Sequence, residues 1–209
     1  MHNSIDAAAF RALDSWRDFR AKLGLDPQSL ALTFTNRFIP EKEIQAPMEA
    51  TALLAPDDVQ ILLDGDSPLK ADIEAYPTPN VHLLGTLGAA DICALPMRCF
   101  LLPTRSEGFS TSLLEATAFA TMPTIANVGG VQELIPTEEF GMVLHQTTGE
   151  EITRLVPKLK ADPNLSNRGK NLRHPRLNRV FLGENRPCRI ERLHTSELLD
   201  KVASGFLEP

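Results

Sequence analysis

The densest run of side chains able to do chemistry is Pro103-Thr104-Arg105-Ser106-Glu107-Gly108-Phe109-Ser110-Thr111-Ser112-Leu113-Leu114-Glu115-Ala116. It follows an apolar strand-like segment and leads into an apolar helical pattern. Glu107 and Gly108 therefore fall in a strand-to-helix loop, and the helix opens near Ser110. The first N–H groups of a helix lack intrahelical partners and carry partial positive charge, which suits a phosphate. Gly108 lets a ligand come close to the backbone. Glu115 lies about one and a half turns into the helix, so Glu107 and Glu115 can straddle one ligand. Read singly, Ser110 also fits an ordinary N-cap, and the glutamates fit surface charges.

Two further segments offer anion chemistry. Arg37 and Lys42 follow the first strand-like run, and an Arg fork with a Lys point charge suits a diphosphate. Flanked by Glu41 and Glu43, they also fit a pair of exposed cations. In Val128-Gly129-Gly130-Val131-Gln132-Glu133, paired glycines before a helical turn allow close backbone approach to a ligand, or simply a tight turn. None of the five histidines accompanies a Ser or Cys in a nucleophile context. The sequence holds no nucleophile elbow, no G-x-G-x-x-G and no Walker A loop.

The elements that must position these residues alternate in type. Apolar strands are expected at Leu30–Phe34, Val59–Leu63, Val81–Leu84, Cys99–Leu102, Thr124–Ala126 and Met142–Leu144. Helical patterns run over Ala7–Leu23 with Gly24 as the stop, from a turn at Pro40–Lys42 to about Leu54 with Pro47 bending or delaying it, and over Leu69–Tyr76. Others cover Ala89–Leu95, Ser110–Phe119 and Val131–Ile135. Short apolar strands between helices imply an α/β, Rossmann-like, doubly wound parallel sheet of about six strands. In such sheets ligands bind beyond the carboxyl ends of the strands, where Arg37, Lys42, Glu107 and Gly129 fall. The expected organisation is a lead-in helix over residues 1–24, a Rossmann-like domain over 25–160, and a basic, mostly irregular segment over 161–209. A last short helix is expected at Leu198–Phe206.

With 43% hydrophobic and 23% charged residues, the 209-residue chain has the composition of a globular protein. The net charge of −6 excludes a generic nucleic-acid binder. From Arg154 to Arg192, 11 Lys/Arg stand against 3 Asp/Glu, which suits either a solvated face or contact with phosphates or an anionic membrane. Three cysteines, Cys93, Cys99 and Cys188, form no C-x-x-C or Cys/His cluster, so neither a disulfide framework nor a metal site is expected. The residues after Met1 do not read as a signal peptide and no run is long enough to span a membrane. The expected location is the cytoplasm.

Taken in order, these segments resemble the C-terminal half of retaining glycosyltransferases of the GT-B fold, in the glycogen-synthase-like, group 1 family. Asn3-Ser4-Ile5-Asp6 with Phe10 is similar to that family's Asn-Gly-Ile-Asp lead-in. Asn36 to Lys42 resembles its Gly-Arg-x-x-Pro-Glu-Lys segment, and Gly65-Asp66-Ser67-Pro68 its Gly-Asp-Gly-Pro turn. Glu107 to Glu115 matches Glu-x7-Glu, and Gly129-Gly130 with Glu133 matches Gly-Gly-x-x-Glu. The resemblance covers roughly residues 2–160 and rests on five motifs in order.

The resemblance implies a nucleotide-sugar donor, UDP- or GDP-linked, with no metal or other cofactor. Arg37 and Lys42 would grip its diphosphate and Glu115 its ribose. Glu107, Gly108, Phe109, Ser110 and Thr111 would meet the sugar and phosphate. It also implies that the acceptor side comes from elsewhere, through an N-terminal glycosyltransferase half or self-association. A non-catalytic nucleotide-sugar-binding or interaction module that keeps the fold is the alternative. The family usually carries glycine at the positions of Ser4, Asn36, Glu43, Ser67 and Ala120, and Glu43 adds a carboxylate next to Lys42.

Overall fold

The computed structural model describes residues 20–162 except 22, 27, 56, 57, 67, 68, 70, 72, 74–77, 88–98, 108–111, 114, 115, 117–120, 130 and 132–134. Six strands form one sheet: β1 (Leu30–Thr35), β2 (Val59–Asp64), β3 (Val81–Gly85), β4 (Cys99–Leu102), β5 (Met122–Ala126) and β6 (Met142–Leu144). Every pairing is parallel, in the order β3-β2-β1-β4-β5-β6. This is the doubly wound order, and the Rossmann-like α/β fold is the one expected. The chain steps outward from β1 to β3, then returns to lay β4 beside β1. The order therefore reverses between β1 and β4.

All residues of β1, β2, β4 and β5 are buried, as strands covered on both faces must be. On one face Leu32, Phe34, Ile61, Leu63 and Leu101 share a core with α1 (Gln45–Leu53) and α2 (Gly149–Ala161). On the other, Phe100, Leu102 and Ile125 pack with Leu113, Ala116, Val131 and Ile135. Alternate residues of β4 thus feed separate cores, which locks its register, because a slip of one residue would exchange the faces.

The strand bounds differ little from expectation. β1, β2 and β3 each run one residue further. β5 starts two residues earlier and contains Pro123, paired with Phe100. A proline gives no ladder donor and masks a strand in the sequence. A separate 3-10 turn, Pro40–Lys42, precedes α1. Pro47 is the third residue of α1, where the N–H has no intrahelical partner to lose.

α2 has no counterpart among the expected elements. Pro157 lies inside it and interrupts the helical signal. The available signal was the capping pattern Thr148-x-x-Glu151: the Glu151 N–H donates to Thr148 Oγ1 at 3.3 Å. The expected helices at Leu69–Tyr76 and Ser110–Phe119 are described only at scattered positions. Those at Ala89–Leu95 and Leu198–Phe206 lie outside the described residues, as do Ser4, Phe10 and nearly all of Ala7–Leu23. The described end of that last segment has the two bonds of a Schellman stop, Gly24 N–H to Ala21 O and Leu25 N–H to Arg20 O. Among the described residues no helix is long and apolar enough to cross a membrane.

Candidate functional site

The loop after β1 is held from below by aromatic packing. Phe38 is fully buried, its ring centroid 6.1 Å from that of Phe34, and Ile44 is buried on the other side of the turn. Burying such a side chain is worth about 1.5–3 kcal/mol, so the intervening Pro40–Lys42 turn is tethered at both ends. The turn is closed by Lys42 N–H to Ile39 O and Glu43 N–H to Pro40 O. A third constraint comes from β2. A Cβ on Gly65 would stand 2.0 Å from Asn36 O, and Gly65 has φ +149°. Only glycine fits there, so the glycine of the Gly65-Asp66 turn serves to seat the Arg37–Lys42 loop.

The loop after β4 meets this turn across the point where the strand order reverses. Arg105 N–H donates to Glu41 O at 3.0 Å. Lys42 Nζ donates to Glu107 Oε2 at 2.7 Å and lies 3.5 Å from Ser106 O. The two side chains are only 13% and 17% exposed, so the pair is screened less than a surface ion pair. An ammonium has three N–H donors, so Lys42 can keep Glu107 and still offer a proton to a phosphate oxygen. Glu43 does not crowd Lys42 as its place in the sequence suggests, because its buried carboxylate pairs with the exposed Arg105. Glu43 also has φ 51°, a left-handed conformation that glycine adopts without strain and a residue with a Cβ does not.

The structure thus brings Lys42 and Glu107 together. Arg37 stands on the same loop, exposed, and its guanidinium makes no ion pair among the described residues. Gly129 has φ 57° and turns the chain after β5, next to Val128, whose N–H donates to Ala126 O at 2.8 Å. Gly108, Phe109, Ser110, Thr111, Glu115 and Gly130 lie outside the described residues. Among the described residues no group of three or more His, Cys, Asp or Glu could hold a metal ion.

Sequence reasoning singled out neither Thr104 nor Arg105. Thr104 is fully buried, its hydroxyl 3.1 Å from Glu41 O and 2.8 Å from Ser106 O. The signal was present: a Thr at a strand end can spend its hydroxyl on neighbouring backbone. Other ionisable groups are structural. Burial pushes the Cys99 thiol up to about 12, against the lesser pull of its Thr124 hydrogen bond. Burial also lowers the His82 pKa, and His82 Nε2 lies 2.7 Å from Gln60 Oε1. Within the basic stretch, Arg154, Lys158 and Lys160 pair with Glu151, Glu138 and Asp58. That part of the positive charge is answered inside the fold.

The family model of glycosyl transferases group 1 matches residues 16–174. The chain is 36% identical over 113 residues to the lipopolysaccharide core biosynthesis mannosyltransferase LpcC of Rhizobium leguminosarum bv. viciae, covering 53% of this chain and 32% of that protein. It is 29% identical over 162 residues to the D-inositol 3-phosphate glycosyltransferase of Rhodococcus jostii (strain RHA1), covering 69% of this chain and 35% of that one. The chain thus spans about a third of the length of these curated relatives. Solved structures share the fold. HepE of Anabaena, crystallised with UDP and glucose, superposes with TM-score 0.73 at 15% identity over 98% of this chain and 55% of that one. The C-terminal domain of a group 1 glycosyl transferase, LpcC of Francisella tularensis, gives 0.63 at 18% identity over 81% of this chain and 96% of that one. With its GT-B-type sheet and a match across most of its length, the chain belongs to the glycosyl transferases group 1 family.

Proposed function

We propose that this chain is the donor-binding half of a retaining glycosyltransferase that takes a UDP- or GDP-linked sugar. The observation that carries the reading is the meeting of Lys42 with Glu107, 2.7 Å apart, where the strand order reverses and ligands of such sheets bind. The names of similar proteins support it: LpcC of Rhizobium is a mannosyltransferase, and HepE was crystallised with UDP-glucose.

In this reading Lys42 and Arg37 hold the donor diphosphate and Glu115 accepts hydrogen bonds from the ribose. Glu107 positions the sugar, while the backbone over Gly108–Thr111 meets sugar and phosphate, and Gly129 and Gly130 allow close approach. When the bond from sugar carbon to phosphate oxygen breaks, its electron pair stays on the leaving diphosphate. Cations already in place stabilise that charge without a metal and without reorganising. Calorimetric titration with UDP-glucose and GDP-mannose tests the reading, and binding of neither contradicts it.

A second reading is a nucleotide-sugar-binding module without turnover. The specific observation in its favour is the Lys42–Glu107 ion pair, which already answers the Lys42 charge. Adding an N-terminal glycosyltransferase half and assaying sugar transfer separates the two.

A further inference from the structure

We propose that Thr104 is the positioning residue that sets the spacing of Lys42 and Glu107, an inference that rests on the donor-site reading above. Its hydroxyl stands between the residues that immediately precede the two charged ones. Thr104 Oγ1 is 3.1 Å from Glu41 O and 2.8 Å from Ser106 O, and it accepts the Ser106 N–H at 3.4 Å. The single hydroxyl proton serves one carbonyl at a time, and both loops lie within its reach. Thr104 is fully buried, and its bonds to the exposed residues Glu41 and Ser106 are partly buried. The adjacent Arg105 N–H adds a backbone bond to Glu41 O at 3.0 Å. The turn carrying Lys42 and the loop carrying Glu107 are therefore joined by the Thr104 hydroxyl, which touches neither charge, alongside the Arg105 N–H.

Each carbonyl keeps another donor without the hydroxyl: Glu41 O has the Arg105 N–H, and Ser106 O has Lys42 Nζ at 3.5 Å. Removing the hydroxyl should thus loosen the register more than the fold. Thr104→Val keeps the shape and deletes the hydroxyl, whereas Thr104→Ser keeps the hydroxyl. Thr104→Cys, a weak donor, replaces T104V if that variant does not fold.

The test is the coupling between Lys42→Met and Glu107→Gln, read as a double-mutant cycle of urea denaturation midpoints. The full 209-residue chain is used, in the wild-type, T104V and T104S backgrounds. The inference requires coupling in the wild type, its loss by half or more in T104V, and its retention in T104S. Equal coupling in wild type and T104V overturns it. So does loss in T104S, which would assign the effect to the methyl group, and so does zero coupling in the wild type. A parallel titration uses UDP-glucose and GDP-mannose as probes. Whichever binds should weaken about fivefold or more in T104V and less than twofold in T104S. Equal weakening in both variants overturns the inference. If the wild type binds neither probe, the donor-site reading fails while the coupling cycle still decides the role of Thr104.

Discussion

Lys42 Nζ and Glu107 Oε2 lie 2.7 Å apart, although 65 positions separate them in the chain. Strand order creates this proximity. β1 and β4 are neighbours, so the loops that leave their carboxyl ends share one crevice. Each charge of this pair is thereby answered by the other. In the proposed donor-binding reading, an incoming diphosphate would share Lys42 with Glu107 or displace it, leaving the carboxylate to meet the sugar.

Glu43 is in the left-handed region at φ 51°, which costs a residue with a Cβ roughly 1–2 kcal/mol. Glu43→Gly should therefore be about 1 kcal/mol more stable than Glu43→Ala. Both variants lose the Arg105 pair, so that loss cancels in the comparison. Chemical denaturation of the two variants checks it, and equal stabilities would mean that the conformation at this position carries no cost.

Cys99 is buried, with its Sγ 3.0 Å from Thr124 Oγ1 and its pKa raised to about 12. A protonated, inaccessible thiol is inert. In a Cys93→Ser, Cys188→Ser background, the native protein at pH 8 should not react with a disulfide reagent until denaturant is added. Rapid labelling of the native state is the contrary result.

Burial holds the His82 pKa below its usual 6.5. Above about pH 6.5 both folded and unfolded states are neutral, so the group has no effect. As pH falls below that value the unfolded chain takes up the proton first, and stability declines until the folded pKa is passed. His82→Gln should flatten the urea midpoint between pH 7 and pH 5. The Glu151 carboxyl, held low chiefly by its hydrogen bond to Arg154, acts in a separate window. Its contribution is present above the usual carboxylate range and is lost as pH falls through its lowered value. A variant with the wild-type slope between pH 7 and pH 5 would remove His82 from the acid response.

The strands were legible because each is an apolar run bounded by polar turns, whereas their order β3-β2-β1-β4-β5-β6 came only from the structure. Helix α2 was hidden by Pro157, and the start of β5 by Pro123. The Lys42–Glu107 pair was legible only as two loops on one sheet edge, since a sequence gives strand ends but not side-chain distances. The roles of Thr104 and Glu41 O depend on one hydroxyl and one carbonyl meeting across loops. No residue pattern of period 2 or 3.6 reports such a contact.

Assayed by themselves, residues 1–209 should transfer no sugar at a useful rate, and at best hydrolyse donor slowly. Holding donor and acceptor in reaction geometry is worth roughly 7–11 kcal/mol, and in the proposed reading residues 1–209 supply the donor side alone. Product analysis with nucleotide sugars and a panel of acceptors tests this. Robust transfer proportional to the concentration of a monomer is the opposing outcome.

The central claim is that Lys42 grips a donor diphosphate, and calorimetry of wild type and Lys42→Ala tests it most directly. UDP is compared with uridine, and GDP with guanosine. The account predicts that wild type binds one diphosphate more tightly than its nucleoside. K42A should lose most of that margin, about tenfold or more, as expected for a hydrogen bond to a charged group worth roughly 1.5–3 kcal/mol. Nucleoside affinity should stay the same. Equal affinity of wild type and K42A for the diphosphate would contradict the account.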